Sequence, residues 1–186
     1  MARLENQQSG NVSLRGQSEM TVSVALDEPS ASNPLDVVEQ IVSANEWAFD
    51  RRNEDEMAVQ VPGKWCDYSL YFAWREDAGA LHFTCALDMR VQSAKRRDAN
   101  ELLARVNEKM WLGHFAIWAE EGVPMFRHAV LLRGKNAACP EQIEDLVDIA
   151  LNESERFYPA FQFVLWGGKS PDDAIAAALL DTVGEA

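Results

Sequence analysis

Cys66-Asp67 and His82 are the residues with the most obvious chemical potential, because an imidazole beside a thiol can generate a nucleophilic thiolate. Their spacing argues against that pairing. From Cys66 to Trp74 the chain alternates, with Cys66, Tyr68, Leu70, Phe72 and Trp74 on one face and Asp67, Ser69, Tyr71, Ala73 and Arg75 on the other. Leu81, Phe83, Cys85, Leu87 and Met89 repeat the pattern, with His82, Thr84, Ala86 and Asp88 opposite. Cys66 and Cys85 therefore fall on apolar faces and His82 on the reverse, where thiol and imidazole cannot share a proton. Both cysteines read as small core residues. Ser69, Tyr71, His82 and Thr84 share the second face as a candidate polar patch, the alternative being an ordinary solvated or dimer-covered surface.

No other cluster is better placed for catalysis. His82, His114 and His128 lie on three separate strands without a partner at metal-ligand spacing. Gly167-Gly168-Lys169-Ser170 is similar to the end of a phosphate loop, but the earlier glycine is missing and the segment follows a helix. It reads instead as a C-cap followed by an N-cap. Lys95-Arg96-Arg97 is followed by Asp98 and Glu101, as expected of a solvated helix face. No catalytic, cofactor-binding or metal-ligating residue is assigned and no cofactor is expected.

The elements that position these residues follow from periodicity. Residues 1–33 contain no aromatic residue and are rich in Ser, Asn and Gln, so they are expected to form a mobile tail, with Met20 as an alternative start. A folded domain is expected over 34–186. It opens at Asn33-Pro34-Leu35-Asp36, a cap, a proline and an acid at the first turn of a helix. Two short strands, Trp47–Asp50 and Met57–Val61, precede the long hairpin that carries Cys66 and His82. Ser93 is the expected cap of a second helix whose apolar stripe is Leu102, Leu103, Val106, Met110 and Trp111, ending at Gly113. His114–Ala119 and Met125–Leu132 read as a second hairpin, with Phe115, Ile117, Phe126, His128, Val130 and Leu132 inward. A third helix begins after Cys139, and Pro159 is expected to kink or interrupt it. Trp166-Gly167-Gly168 ends it, and Ser170-Pro171-Asp172-Asp173 introduces a closing helix over Ala174–Leu180. The order α-β-β-β-β-α-β-β-α-α predicts an α+β fold, an antiparallel sheet with helices on one face.

Charge narrows the function. Among 186 residues, 30 acids against 17 bases leave a formal charge of -13. That balance opposes nucleic-acid binding, which needs a basic surface to displace counterions, and opposes attraction to anionic membranes. Residues 140–186 hold ten acids against two bases, Arg156 and Lys169. They form either a solubilising surface or an acidic mimic for a basic partner. Three cysteines in no paired pattern suit a reducing compartment, and the N-terminal stretch lacks the apolar block of a secretory signal. A cytoplasmic address is expected. Six tryptophans exceed the needs of one small core, and Trp111, His114, Trp118, Met125 and Arg127 form a candidate partner or dimer surface.

Several stretches carry a family resemblance. Val61-Pro62-Gly63-Lys64-Trp65-Cys66-Asp67-Tyr68, Ala80-Leu81-His82-Phe83, Val106–Phe115 and Pro124–His128 resemble the YbjN family of bacterial proteins. Glu155-Arg156-Phe157-Tyr158-Pro159-Ala160-Phe161 with its continuation to Gly168 is the most distinctive. The resemblance covers about residues 34–184. It implies a fold like that of type III secretion chaperones, pairing as homodimers, and a role in sensory-transduction regulation without established catalytic residues. The leading expectation is a non-enzymatic, homodimeric protein-binding module acting as a regulator or chaperone-like adaptor on an unknown protein partner. The alternatives are a small hydrolase using Cys66 or the His82 patch, and the acidic mimic.

Overall fold

The computed structural model describes residues 33–132 and 138–183, with 181–183 described by their backbone alone. The tail expected over residues 1–33 thus lies outside the described residues, save Asn33. Asn33 does cap α1 (Pro34–Ala44): its side-chain oxygen accepts the Leu35 N–H at 2.9 Å. Leu35, Val38, Ile41 and Val42 of that helix are buried, the stripe its three-to-four-residue spacing requires.

Among the described residues six strands form one antiparallel sheet: β1 (Ala48–Arg51), β2 (Glu56–Pro62), β3 (Asp67–Arg75), β4 (Ala80–Ala86), β5 (His114–Ile117) and β6 (Pro124–Leu131). Their spatial order is β1-β2-β3-β4-β6-β5. The first four strands form a meander. The chain then leaves through α2 (Arg96–Asn107), lays β5 on the far edge and returns with β6 between β5 and β4. α3 (Pro140–Leu165) lies over β4 and β6, and α4 (Pro171–Val183) packs outside α2 and α3. The α+β class and the antiparallel sheet with helices on one side are therefore as the sequence indicates.

Alternation places the core between this sheet and the helices. Met57, Val59, Val61, Tyr68, Leu70, Phe72, Leu81, Phe83, Cys85 and Phe126 are buried on the helix side. Phe115 contacts Phe126, Phe157 and Phe161 with ring centroids 5.6–6.1 Å apart, in the edge-to-face and tilted arrangements that aromatic quadrupoles favour. These contacts fasten the β5–β6 hairpin to α3.

Some boundaries differ from the expectation. Ser93 does not cap α2 but begins a short 3-10 turn, Ser93–Lys95, and the helix starts at Arg96. α2 ends at Asn107, so Met110 and Trp111 do not continue its stripe. β4 ends at Ala86, and Leu87 and Met89 are buried beyond it. β5 ends at Ile117, leaving Trp118 in the turn, where its N–H donates to the Val123 carbonyl. Pro159 does not interrupt α3, which runs unbroken for 26 residues. α4 is longer than the expected Ala174–Leu180. No helix of the described residues is long and apolar enough to cross a membrane.

Candidate functional site

The strand register joins two groups of residues that sequence spacing kept separate. Ser69 stands opposite Ala86, Tyr71 opposite Thr84, and Ala73 opposite His82. Thr84 is also opposite Arg127, and Ala86 opposite Met125. Arg127 faces His114 across β5, and Met125 faces Ala116. Because side chains alternate along each strand, all of these project from the sheet side away from the helices. The polar patch and His114, Met125 and Arg127 are therefore one continuous surface. A concavity of about 670 Å³ opens there, lined by Arg52, Tyr71, Thr84, Trp118, Met125 and Arg127 among others. A second, of about 470 Å³, reaches Gln60, Ser69, Asp88 and Arg90 and shares Tyr71, Ala86 and Val123 with the first.

The floor and rim of this surface differ in exposure. Thr84 and Met125 are each only 8% exposed, so both lie in the floor of the surface and do not stand out from it. Tyr71 (39%) and Trp118 (50%) stand up from it. Ala58, Ala73, Ala80, Ala86, Ala116 and Ala129 occupy the same face in register, so the surface between the larger side chains stays close to the backbone. Arg127 Nη2 lies 3.0 Å from His82 Nε2. Burial pushes the His82 pKa down, aided by Arg127 and His114, so the imidazole is neutral at pH 7 and accepts the guanidinium N–H.

Trp111 is placed apart from this face, on the turn after α2, and is 99% exposed. Its backbone is braced on both sides. Lys109 and Met110 donate to the Val106 and Asn107 carbonyls, and Gly113 adopts φ 67°. A Cβ on Gly113 would meet Phe126 Cζ at 2.2 Å, so this approach admits glycine alone.

Cys66 takes its expected side of the sheet, away from His82. It faces Tyr158 and the backbone of Asp88, and burial raises its pKa more than those hydrogen bonds lower it. Cys85 is buried, 3.5 Å from Ser154 Oγ, and its thiol is pushed up to about 12 by burial. The thiol–imidazole pair of the hydrolase reading is thus not assembled. Among the described residues no group of three or more His, Cys, Asp or Glu is arranged to hold a metal ion.

Two local devices were not anticipated. Pro159 has no N–H for the Glu155 carbonyl four residues back, and Trp65 Nε1 donates to that carbonyl at 3.1 Å instead. Trp65 also stacks on Tyr158, at 6.2 Å and 4° between planes, and the Lys64 N–H donates to Glu155 Oε1 at 2.8 Å. The loop before β3 is thereby latched onto α3 where the helix lacks its own hydrogen bond. At the other end of the sheet, Asn107 Oδ1 accepts the Phe115 N–H at 2.7 Å and its Nδ2 donates to the Phe115 carbonyl at 3.0 Å. One side-chain amide thus does for the β5 edge what a neighbouring strand would do. A tryptophan in a Pro-Gly loop and an asparagine at a helix end are the only traces in the sequence, and neither names its partner.

Residues 34–163 match the family model of YbjN, described as "Putative bacterial sensory transduction regulator". The chain belongs to the YbjN family. Trp65, Asn107 and Pro159, which form the two devices above, all lie within the matched residues and within the stretches that carried the resemblance. Among solved structures, the chain is similar to "Crystal structure of YbjN, a putative transcription regulator from E. coli". The identity is 12%, the match covers 64% of this chain and 84% of that one, and the TM-score is 0.44. No curated protein matches the chain.

Proposed function

We propose that this YbjN-family protein is a non-enzymatic regulator in the cytoplasm that acts by binding protein chains and works as a homodimer. The observation that carries this reading is the face of the sheet that no helix of the described residues covers, with its alanine floor, standing Tyr71 and Trp118, and half-buried Arg127. Aromatic residues and arginine around an apolar, weakly charged centre are what protein interfaces enrich. The net negative charge gathers instead in residues 140–186, where ten acids stand against two bases.

Self-association is assigned to the turn carrying Trp111 and Leu112. A fully exposed tryptophan on a braced turn leaves a large apolar surface in water, and a second copy would remove it. Sedimentation velocity at micromolar concentration is expected to show a dimer. Trp111→Ser should return it to a folded monomer with an unchanged far-UV spectrum, since the side chain touches almost nothing in its own protomer. The denaturation midpoint of that variant should no longer depend on protein concentration. A strictly monomeric wild type would remove the homodimer. Partner capture is assigned to the sheet face, so Ala86→Arg should abolish it and leave the dimer intact; capture that survives Ala86→Arg would place the partner elsewhere.

A further inference from the structure

The open face holds a cation with no counter-ion among the described residues. Arg127 is half-buried, and its one hydrogen bond among the described residues goes to the neutral imidazole of His82. Arg51, Arg75, Arg90, Arg105 and Arg156 each meet a carboxylate within 4 Å. Among the described residues Arg127 and Arg52, across the same concavity, form no ion pair, and neither do Arg97 and Arg96, the latter donating to the Ala119 carbonyl at the sheet's far turn. The one acid that lines that concavity among the described residues, Glu121, is turned toward Arg90 at 3.7 Å. In a chain with 30 acids and 17 bases, a half-buried guanidinium that meets no carboxylate among the described residues has donors left for one supplied from outside.

We infer that the concavity between Arg52 and Arg127 receives an acidic side chain of an extended peptide segment belonging to the partner, which deepens and rests on the protein-binding reading above. Arg127 offers its remaining guanidinium donors to the carboxylate, and Tyr71 and Thr84 add hydroxyls. Trp118 and Met125 provide an apolar wall and floor for a hydrophobic residue next to the acid. The trough continues past Tyr71 and Ala86 into the second concavity, and this length suits an extended chain better than a compact metabolite. Asp67 and Asp88 line that far end with Arg90, so the acid is directed to the Arg127 end.

Panning a phage-displayed library of random decapeptides against the full chain tests this. Enriched peptides are expected to carry Asp or Glu beside an aromatic or aliphatic residue. In fluorescence anisotropy an enriched peptide should bind Arg127→Gln roughly tenfold or more weakly, as expected on losing a charge-assisted hydrogen bond. Arg52→Gln, at an exposed position where folding is not at stake, should weaken it in the same direction. Arg127→Lys should restore only part of the affinity, because an ammonium lacks the planar fork. Enriched peptides free of acids, affinity indifferent to both arginines, or no enrichment would each overturn the assignment. Free glutamate or indole-3-acetate binding as tightly as the peptide would also overturn it, in favour of a small-acid site. Acid-free peptides that still lose binding in Ala86→Arg would leave the protein-binding reading standing and remove this one alone.

Discussion

Trp65 shows how a single side chain can resolve a conflict between local rules. Proline in a helix interior strands the carbonyl four residues back, and the indole N–H reaches that carbonyl from outside the helix. Trp65→Phe keeps the ring but removes the donor, and is expected to lower stability by about 1–2 kcal/mol in chemical denaturation. Pro159→Ala supplies a backbone N–H to the same carbonyl, so Trp65→Phe should cost less in that background; equal costs would mean the two residues are uncoupled. The thiols separate at the same scale. Cys139 is exposed, Cys66 half-buried and Cys85 buried, and burial raises the pKa of the last two. Ellman's reagent near neutral pH should therefore show one fast thiol, absent in Cys139→Ser, and two slow ones. A fast Cys66 would revive the hydrolase alternative.

At the scale of elements, β5 depends on α2. It has only four residues and one strand neighbour, and the Asn107 amide satisfies the outer backbone groups of Phe115. A bare edge would be open to pairing with other chains, so this contact limits as well as supports. Asn107→Ala leaves both groups without their partner and is expected to cost about 1–3 kcal/mol, with faster amide exchange at Phe115 than at Phe83 in β4. β1 is tied differently. Arg51 meets Asp36 at 2.8 Å and Glu39 at 2.7 Å on α1, two half-exposed ion pairs whose contribution is small and screened by salt.

At the scale of the whole molecule, the layer of helices hides one sheet face and, among the described residues, leaves the other open. His82 on the open face and His128 on the helix side both have pKa values below the ordinary 6.5, burial being the larger cause in each. The unfolded chain therefore binds more protons than the folded one just below pH 6.5, and stability falls as pH drops through that value and on through the folded pKa values. The groups facing His82 are Arg127 and His114, and protonation sets it against both. The urea midpoint is expected to be lower at pH 5.5 than at pH 7.5, with a shallower dependence in His82→Gln and in His128→Gln.

Alternation and helical spacing sufficed for the element order, the α+β class, the opposite placement of Cys66 and His82, and the membership of each face within a hairpin. These are properties of neighbours in sequence, where the periods of 2 and 3.6 bind residue type to direction. The strand order was beyond their reach, because pairing β4 with β6 and sending β5 to the edge depends on which distant surfaces fit. That same choice brought Ser69, Tyr71, His82 and Thr84 beside His114 and Arg127, turned Met125 into floor, and stood Trp111 in solvent after an early end to α2. The net charge of -13 was plain in the composition; that a half-buried arginine projects from the open face and meets no carboxylate among the described residues follows from the register.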